Sequence, residues 1–186
     1  MLLLPLAACT PTRPGPAVGT PPPQVDNSAP LALGTVWPLE RLGPSPVDTL
    51  VRFAALAGRT IVVRHPRPDN AIFAIVTFPP GTILPRKGDS VTVRLRPEPG
   101  RYGLVIESED SLSGVAIGTF SYAVHFAEPD GALARYRTSN SFEVALRAAR
   151  RVDSTSLRFL SSERPAADML RFPIARPGSY FLAAPR

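Results

Sequence analysis

The sequence is poor in the residue types that build disulfides and metal sites. Cysteine occurs once, at Cys9, and histidine twice, at His65 and His125. A single cysteine cannot close a disulfide within the chain, and no cysteine or histidine cluster has the spacing of metal ligands. We therefore expect no internal disulfide, no metal and no other cofactor.

Other signatures are missing as well. The sequence has no glycine-rich phosphate-binding loop and no Gly-x-Ser-x-Gly elbow, since Ser113-Gly114 does not complete one. Basic residues are not interleaved with aromatic residues in runs, so we expect no nucleic-acid partner. The formal net charge of +6 is carried almost entirely by arginine. This charge permits contact with anionic lipid or glycan without demonstrating it.

Proline, by contrast, is abundant, with 23 of 186 residues and a concentration before position 48. Proline fixes φ and lacks a backbone donor, so the stretch from Thr10 to Pro46 is expected to be an extended, disordered spacer. Within it, Leu31 to Trp37 is more apolar than its surroundings. This difference predicts that the stretch docks on the folded domain, with Trp37 as a packing anchor.

The amino terminus has the order of parts of an export signal: an apolar run, small residues and then a cysteine. Leu6-Ala7-Ala8-Cys9 resembles the bacterial lipobox. The resemblance implies that residues 1–8 are a signal peptide, that Cys9 carries the lipid, and that Thr10 after it favours the outer membrane or cell surface. The run is short and lacks a preceding basic residue, so we expect the true start to lie upstream.

From residue 49 onward, the dominant hydrophobic period is two. Ser90 to Arg96 alternates apolar and polar residues, and Ala71 to Phe78 is apolar on both faces, as in a covered central strand. Turns rich in proline and glycine, such as Pro79-Pro80-Gly81, separate the runs at short intervals. The sequence therefore predicts an all-β, immunoglobulin-like antiparallel β-sandwich over 49–186, after a lipidated cysteine and Pro-rich linker over 9–48.

Two segments are ambiguous in secondary structure. Asp48 to Gly58 begins with an N-cap candidate and closes with glycine, which permits a short helix. Asn140 to Val152 fits an amphipathic helix and an alternating strand equally well, and the turn and apolar run that follow favour the strand, although both interpretations stay open.

The C-terminal half carries a second resemblance. Four segments resemble the closing strands of β-sandwich modules of bacterial envelope proteins, which are related to sandwiches in ankyrins and netrin receptors: Gly114 to Tyr122, Ala134 to Leu146, Ser156 to Ile174 and Pro177 to Pro185. Some members of that group cleave their own backbone at His-Phe-Ser before the last strand. Ser179 occupies the matching place here, but the histidine and phenylalanine are absent, so we expect no autoproteolysis.

Histidines next to acidic residues form the first candidate site. His65 with Asp69, or His125 with Glu128 and Asp130, supplies the base and acid of a hydrolase but no nucleophile. We therefore expect these histidines to be solvated residues near turns rather than catalytic bases.

Paired arginines form the second candidate site. Arg94 and Arg96 share the outward face of one predicted strand, and Arg135 and Arg137 form another alternating pair. If the two strands are neighbours, the four guanidinium groups would form a patch that pairs with phosphate or carboxylate.

Taken together, these features favour a non-enzymatic, lipid-anchored β-sandwich protein of the bacterial cell envelope, with a structural or binding role. Its expected partners are the membrane, through the lipid on Cys9, and an anionic glycan, a lipid or another envelope protein. Two alternatives stay open: a small envelope hydrolase that uses His125 or His65, and a binder of anionic glycan or lipid through the arginine pairs. The sequence does not indicate an oligomeric state.

Overall fold

A computed structural model gives the fold of residues 29–186. The predicted signal peptide 1–8, Cys9 and the linker up to residue 28 lie outside the described residues. Sixteen strands occur in this part of the chain: β1 (Leu31–Ala32), β2 (Val36–Pro38), β3 (Glu40–Arg41), β4 (Thr49–Ala54), β5 (Arg59–Arg64), β6 (Ile72–Phe78), β7 (Ile83–Leu84), β8 (Ser90–Pro97), β9 (Gly103–Ser108), β10 (Ser111–Leu112), β11 (Ala116–Ser121), β12 (Phe126–Ala127), β13 (Arg147–Arg151), β14 (Ser156–Phe159), β15 (Met169–Ile174) and β16 (Gly178–Pro185). Two short helices, α1 (Ala132–Tyr136) and α2 (Ser139–Ala145), separate β12 from β13.

Twelve of the strands form two antiparallel sheets that pack face to face, which confirms the predicted all-β sandwich, and the other four form the separate pairs β7–β10 and β3–β12. The larger sheet has eight strands in the order β1-β14-β13-β16-β9-β8-β4, with β2 also paired to β16, and the smaller has the order β15-β11-β6-β5. The main core lies between them and includes a stack of aromatic rings. Phe172 lies between Phe120 and Tyr180, at centroid distances of 5.2 and 5.6 Å.

Strand β8 shows how the sequence pattern determines the packing. Val91, Val93 and Leu95 are 1% exposed or less, while the residues between them face outward. Side chains alternate between the two faces of a strand, so this burial follows directly from the period of two.

The helix permitted between Asp48 and Gly58 is not formed. Residues Thr49–Ala54 are instead strand β4, with Thr49, Val51 and Phe53 half-buried and every second residue exposed. Asp48 does not cap a helix, because its carboxylate accepts hydrogen bonds from Arg94 on β8. Pairing with β8 along the whole strand outweighs the weak local signal.

The segment with two open interpretations divides between them. The Thr138 hydroxyl accepts a hydrogen bond from the Ser141 amide at 3.1 Å, which caps α2. Beyond Leu146 the chain becomes β13, which pairs with β14 on one side and β16 on the other. The stretch from Ala134 to Leu146, which resembled a closing strand, is therefore mainly helical.

The folded part of the chain begins well before residue 49. β1 pairs with β14 and β2 pairs with β16, while β13 lies between β14 and β16. The segment Leu31–Pro38 therefore closes a ring of paired strands. The ring surrounds a second apolar cluster, separate from the main core: Val36, Ala149, Leu157, Phe159, Phe181 and Ala183. The linker predicted over 9–48 thus ends in strands, because its apolar stretch has a complementary apolar face to cover.

Trp37 packs as an anchor in this segment. Its ring meets the ring of Tyr136 edge to face at a centroid distance of 6.1 Å, and the Arg186 guanidinium lies 5.4 Å from its centroid. The side chain thereby connects β2 to α1 and to the C-terminus.

Candidate functional site: the histidine cluster

The structure brings the two histidines of the chain together. His65 follows β5 and His125 precedes β12, yet their ring centroids are 4.6 Å apart. Asp69, in the loop after β5, lies against the same pair. Sequence reasoning treated the two histidines as separate, because nothing in their local sequence signals that the two loops meet. We refer to His65, His125 and Asp69 as the histidine cluster.

His125 is held by both its side chain and its backbone. Its Nε2 lies 2.6 Å from Asp69 Oδ2, and its carbonyl accepts a hydrogen bond from the Leu42 amide at 2.8 Å. The ring rests on Gly43, where a β-carbon would come within 3.1 Å of His125 Nδ1. The acid that pairs with His125 is therefore Asp69, which the sequence had suggested for His65, and not Glu128 or Asp130.

His65 is almost completely buried, with 1% of its surface exposed. Its Nε2 makes a long contact of 3.5 Å to the hydroxyl of Tyr102. The single proton of that hydroxyl points to the carbonyls of Ser121 and Val124, at 2.9 and 3.1 Å. The Tyr102 phenol therefore touches the His65 ring while its own proton is shared between these two carbonyls.

This arrangement contains part of a hydrolase site. An imidazole next to a carboxylate can hold a proton taken from a nucleophile. Within residues 29–186, however, no serine or threonine hydroxyl is hydrogen-bonded to either ring, and the one hydroxyl in contact is the phenol of Tyr102. Burial raises the pKa of Tyr102, so this phenol stays protonated. The cluster thus provides a base and an acid without an activated nucleophile.

The charge state of His65 makes stability depend on pH. Burial lowers the pKa of His65, and the neighbouring His125 and Arg41 lower it further, while the Pro44 carbonyl and Asp69 act in the opposite direction. The folded protein therefore keeps His65 neutral at a pH where the unfolded chain, with a histidine pKa of about 6.5, takes up a proton. We expect the contribution of neutral His65 to be complete above about pH 6.5 and to be lost as the pH falls below that value.

Urea unfolding at pH 7.5 and at pH 5.5 checks this expectation. The wild type should lose more stability between the two values than His65→Gln, which cannot take up the proton. His125→Gln leaves His65 buried and removes only a lesser cause of its lowered pKa, so this variant should keep most of the pH dependence. An equal loss of stability in the wild type and His65→Gln would contradict the assignment.

Arg94 and Arg96 are both paired with acids. Arg94 binds Asp48 through two nitrogens, with Nε 3.1 Å from both carboxylate oxygens, and this hydrogen bonding lowers the pKa of Asp48. Arg96 lies 2.9 Å from Glu107. Arg94 and Glu107 line an open groove of about 490 Å³ across β4, β8 and β9. An anion bound there would have to compete with carboxylates already in place.

The four-arginine patch predicted from the sequence is not formed. Arg135 belongs to α1 and Arg137 follows it in the left-handed conformation, so neither lies on a strand. The neighbours of β8 are β4 and β9. The alternating pattern around Arg135 was misinterpreted, since five residues are too few to distinguish a short helix from a strand.

Ser179 lies where the resemblance would place a self-cleaving serine. Its hydroxyl donates a hydrogen bond to the carboxylate of Glu98, which is 7% exposed. The other carboxylate oxygen of Glu98 lies 3.7 Å from Arg101 Nε. In the described part of the chain, neither imidazole is hydrogen-bonded to Ser179, so its hydroxyl has no histidine base.

The described residues contain no group of three or more histidines, cysteines, aspartates and glutamates placed to hold a metal ion. No helix within residues 29–186 is long and apolar enough to cross a membrane. No family model, no curated protein and no solved structure matches this chain.

Proposed function

We propose that the protein is a lipid-anchored binding module of the bacterial cell envelope. The observation that carries the proposal is the order of parts along the chain. An apolar run ends at Leu6-Ala7-Ala8-Cys9, a segment rich in proline follows, and a β-sandwich domain begins at Leu31. A lipid anchor needs such a spacer, because the folded domain must clear the membrane surface.

A binding role, rather than catalysis, is supported by what the described side chains contact. The one imidazole–carboxylate pair of residues 29–186 lies next to a phenol and not next to a serine. Arginine, in contrast, is exposed or half-exposed at many places on the domain and provides donors for an anionic partner. The hydrolase alternative would require a hydroxyl that approaches His125 from elsewhere.

Metabolic labelling with a fatty-acid analogue tests the anchor. The wild-type chain, expressed from its native gene, should incorporate the label and partition into the membrane fraction, whereas Cys9→Ser should do neither, because the thiol that accepts the lipid is gone. Thr10→Ser is a matched control that keeps Cys9 and should be labelled like the wild type. Equal labelling of the wild type and Cys9→Ser, or no labelling of either, would overturn the proposal.

A further inference from the structure

Three arginines lie on or next to the larger sheet, and none of them forms an ion pair with an acid of residues 29–186. Arg150 on β13 lies directly opposite Arg158 on β14 in the antiparallel ladder. Arg176, just before β16, is next to this pair, because its carbonyl accepts a hydrogen bond from the hydroxyl of Tyr180 at 2.6 Å and Tyr180 is opposite Arg150 in the ladder. We refer to Arg150, Arg158 and Arg176 as the arginine trio. All three were left out of the sequence-based candidates, because they come from three separate stretches of the chain.

Two of these side chains point to the inner face of the larger sheet. Ala148 and Leu160, which alternate in phase with Arg150 and Arg158, belong to the main core, whereas their neighbours Ala149 and Phe159 belong to the second cluster. Across the three neighbouring strands, Arg158, Arg150 and Tyr180 are opposite one another. Tyr180 is the buried member of this row, with 1% of its surface exposed. The charges lie where the core ends, and both arginines are half-buried.

Like charges directly opposite each other in an antiparallel pair destabilise a sheet, because their β-carbons are only about 4.5–5.5 Å apart. Burial lowers the pKa of Arg150, and the charges of Arg176 and Arg158 lower it further. Such a pair is unfavourable for folding alone. A bound anion would convert the repulsion into two favourable ion pairs.

The donors of the trio are largely unused. Within residues 29–186, their guanidinium groups make a single hydrogen bond, from Arg150 Nη1 to the Arg151 carbonyl at 3.3 Å. The Nε of Arg158 is buried without a partner. Asp153, in the turn between β13 and β14, binds Thr155 and Ser156, and Glu163 lies 3.7 Å from Arg171, so neither acid pairs with the trio.

We propose that the arginine trio is a binding site for a phosphate group. Guanidinium groups supplied by three separate stretches of the chain suit a tetrahedral oxyanion, which presents acceptors in several directions, better than a planar carboxylate with two oxygens. The phosphate is that of a lipid headgroup or of a small free phosphate, since both present the same chemistry. This site replaces Arg94 and Arg96, which are paired with carboxylates, and Arg135 and Arg137, which do not lie on a strand next to them.

Calorimetric titration with inorganic phosphate at constant ionic strength tests the site. All variants carry Cys9→Ser in the full chain, so that a failure of the lipid anchor does not affect the result. Arg150→Gln with Arg158→Gln should weaken phosphate binding at least tenfold, because two charge-assisted contacts are lost. Arg59→Gln, an exposed arginine on β5 with no ion pair in the described residues, is the matched control and should bind like the background.

Arg158→Lys separates binding from folding. It keeps the charge and the apolar stem and loses the planar fork, so it should fold like the background and bind phosphate several-fold more weakly. Unchanged phosphate affinity in Arg158→Lys and in the double variant would overturn the proposal, as would the absence of phosphate binding by the background protein.

Vesicle sedimentation identifies the source of the phosphate. If vesicles with phosphatidylglycerol capture the background protein and Arg59→Gln but not the double variant, the ligand is a lipid headgroup. If the variants differ in their affinity for inorganic phosphate but not in their capture by the vesicles, the ligand is a small phosphate. Equal capture of all three proteins, together with equal phosphate affinity, would overturn the site.

Discussion

Gly58→Ala is expected to lower the free energy of unfolding by about 3 kcal/mol, the largest effect of a single added methyl group that we anticipate in this protein. Gly58 lies in the turn between β4 and β5 with a φ of +65°. A β-carbon there would come within 2.6 Å of the Phe78 carbonyl oxygen and 2.8 Å of the Pro80 nitrogen. Both are backbone atoms of the neighbouring turn, so they cannot give way as a flexible side chain would.

Gly100→Ala is the matched control for this prediction. Gly100 also has a positive φ, +69°, but nothing lies within 4 Å of the position that its β-carbon would take. Only the backbone strain applies, and we expect a loss of about 1 kcal/mol. Urea unfolding of both variants measures the difference, and equal losses would show that the close approach at Gly58 does not exist.

Phe181→Ala should destabilise the protein by about 3–5 kcal/mol. Phe181 is fully buried in the second apolar cluster, the one enclosed by the ring of strands that the segment Leu31–Pro38 closes. The guanidinium groups of Arg101 and Arg151 lie 5.7 and 6.0 Å from the centroid of its ring, so cation–π contacts are lost as well. Truncation leaves a cavity that these neighbours cannot fill.

Leu56→Ala provides the comparison, because Leu56 is 82% exposed and should change stability by no more than about 0.5 kcal/mol. Chemical denaturation of both variants measures the two changes in the free energy of unfolding. A cost for Phe181→Ala close to that of Leu56→Ala would mean that the ring does not enclose a packed cluster.

The two proposals about function differ in what they depend on. The lipid anchor follows from the residues around Cys9, and the phosphate site follows from the opposition of Arg150 and Arg158 in one ladder. Either can fail without the other. If both hold, the anchor attaches the protein to the membrane, and the arginine trio binds the phosphate of a lipid headgroup or a small free phosphate.

The apolar–polar alternation of the sequence was sufficient to predict the fold class, as β8 illustrates. The alternation of Val91, Val93 and Leu95 with polar residues specifies a strand with one buried face in any sandwich, because the side-chain period of a strand is two. The stretch from Asp48 to Gly58 shows the limit of local signals. An N-cap residue and a closing glycine together stabilise a helix by only about 1 kcal/mol, and the pairing of β4 with β8 along its whole length outweighs this.

The candidate sites could not be predicted in the same way. Arg94 and Arg96 were recognised as a pair from their spacing, but their acidic partners Asp48 and Glu107 come from other parts of the chain. Local spacing reports which side chains share a face. It does not report which groups lie across from them, and those groups determine whether a charge is free to bind a ligand.

The sequence by itself determined that this chain contains an all-β domain, since alternation and proline- or glycine-rich turns are local properties that each segment carries independently. Only the tertiary structure decided that His65 meets His125, that Arg150 opposes Arg158, and that Leu31–Pro38 closes a ring around Phe181. These are contacts between segments far apart in the chain. They depend on strand register and loop placement, which are set by the packing of the whole domain and not by any one stretch of residues.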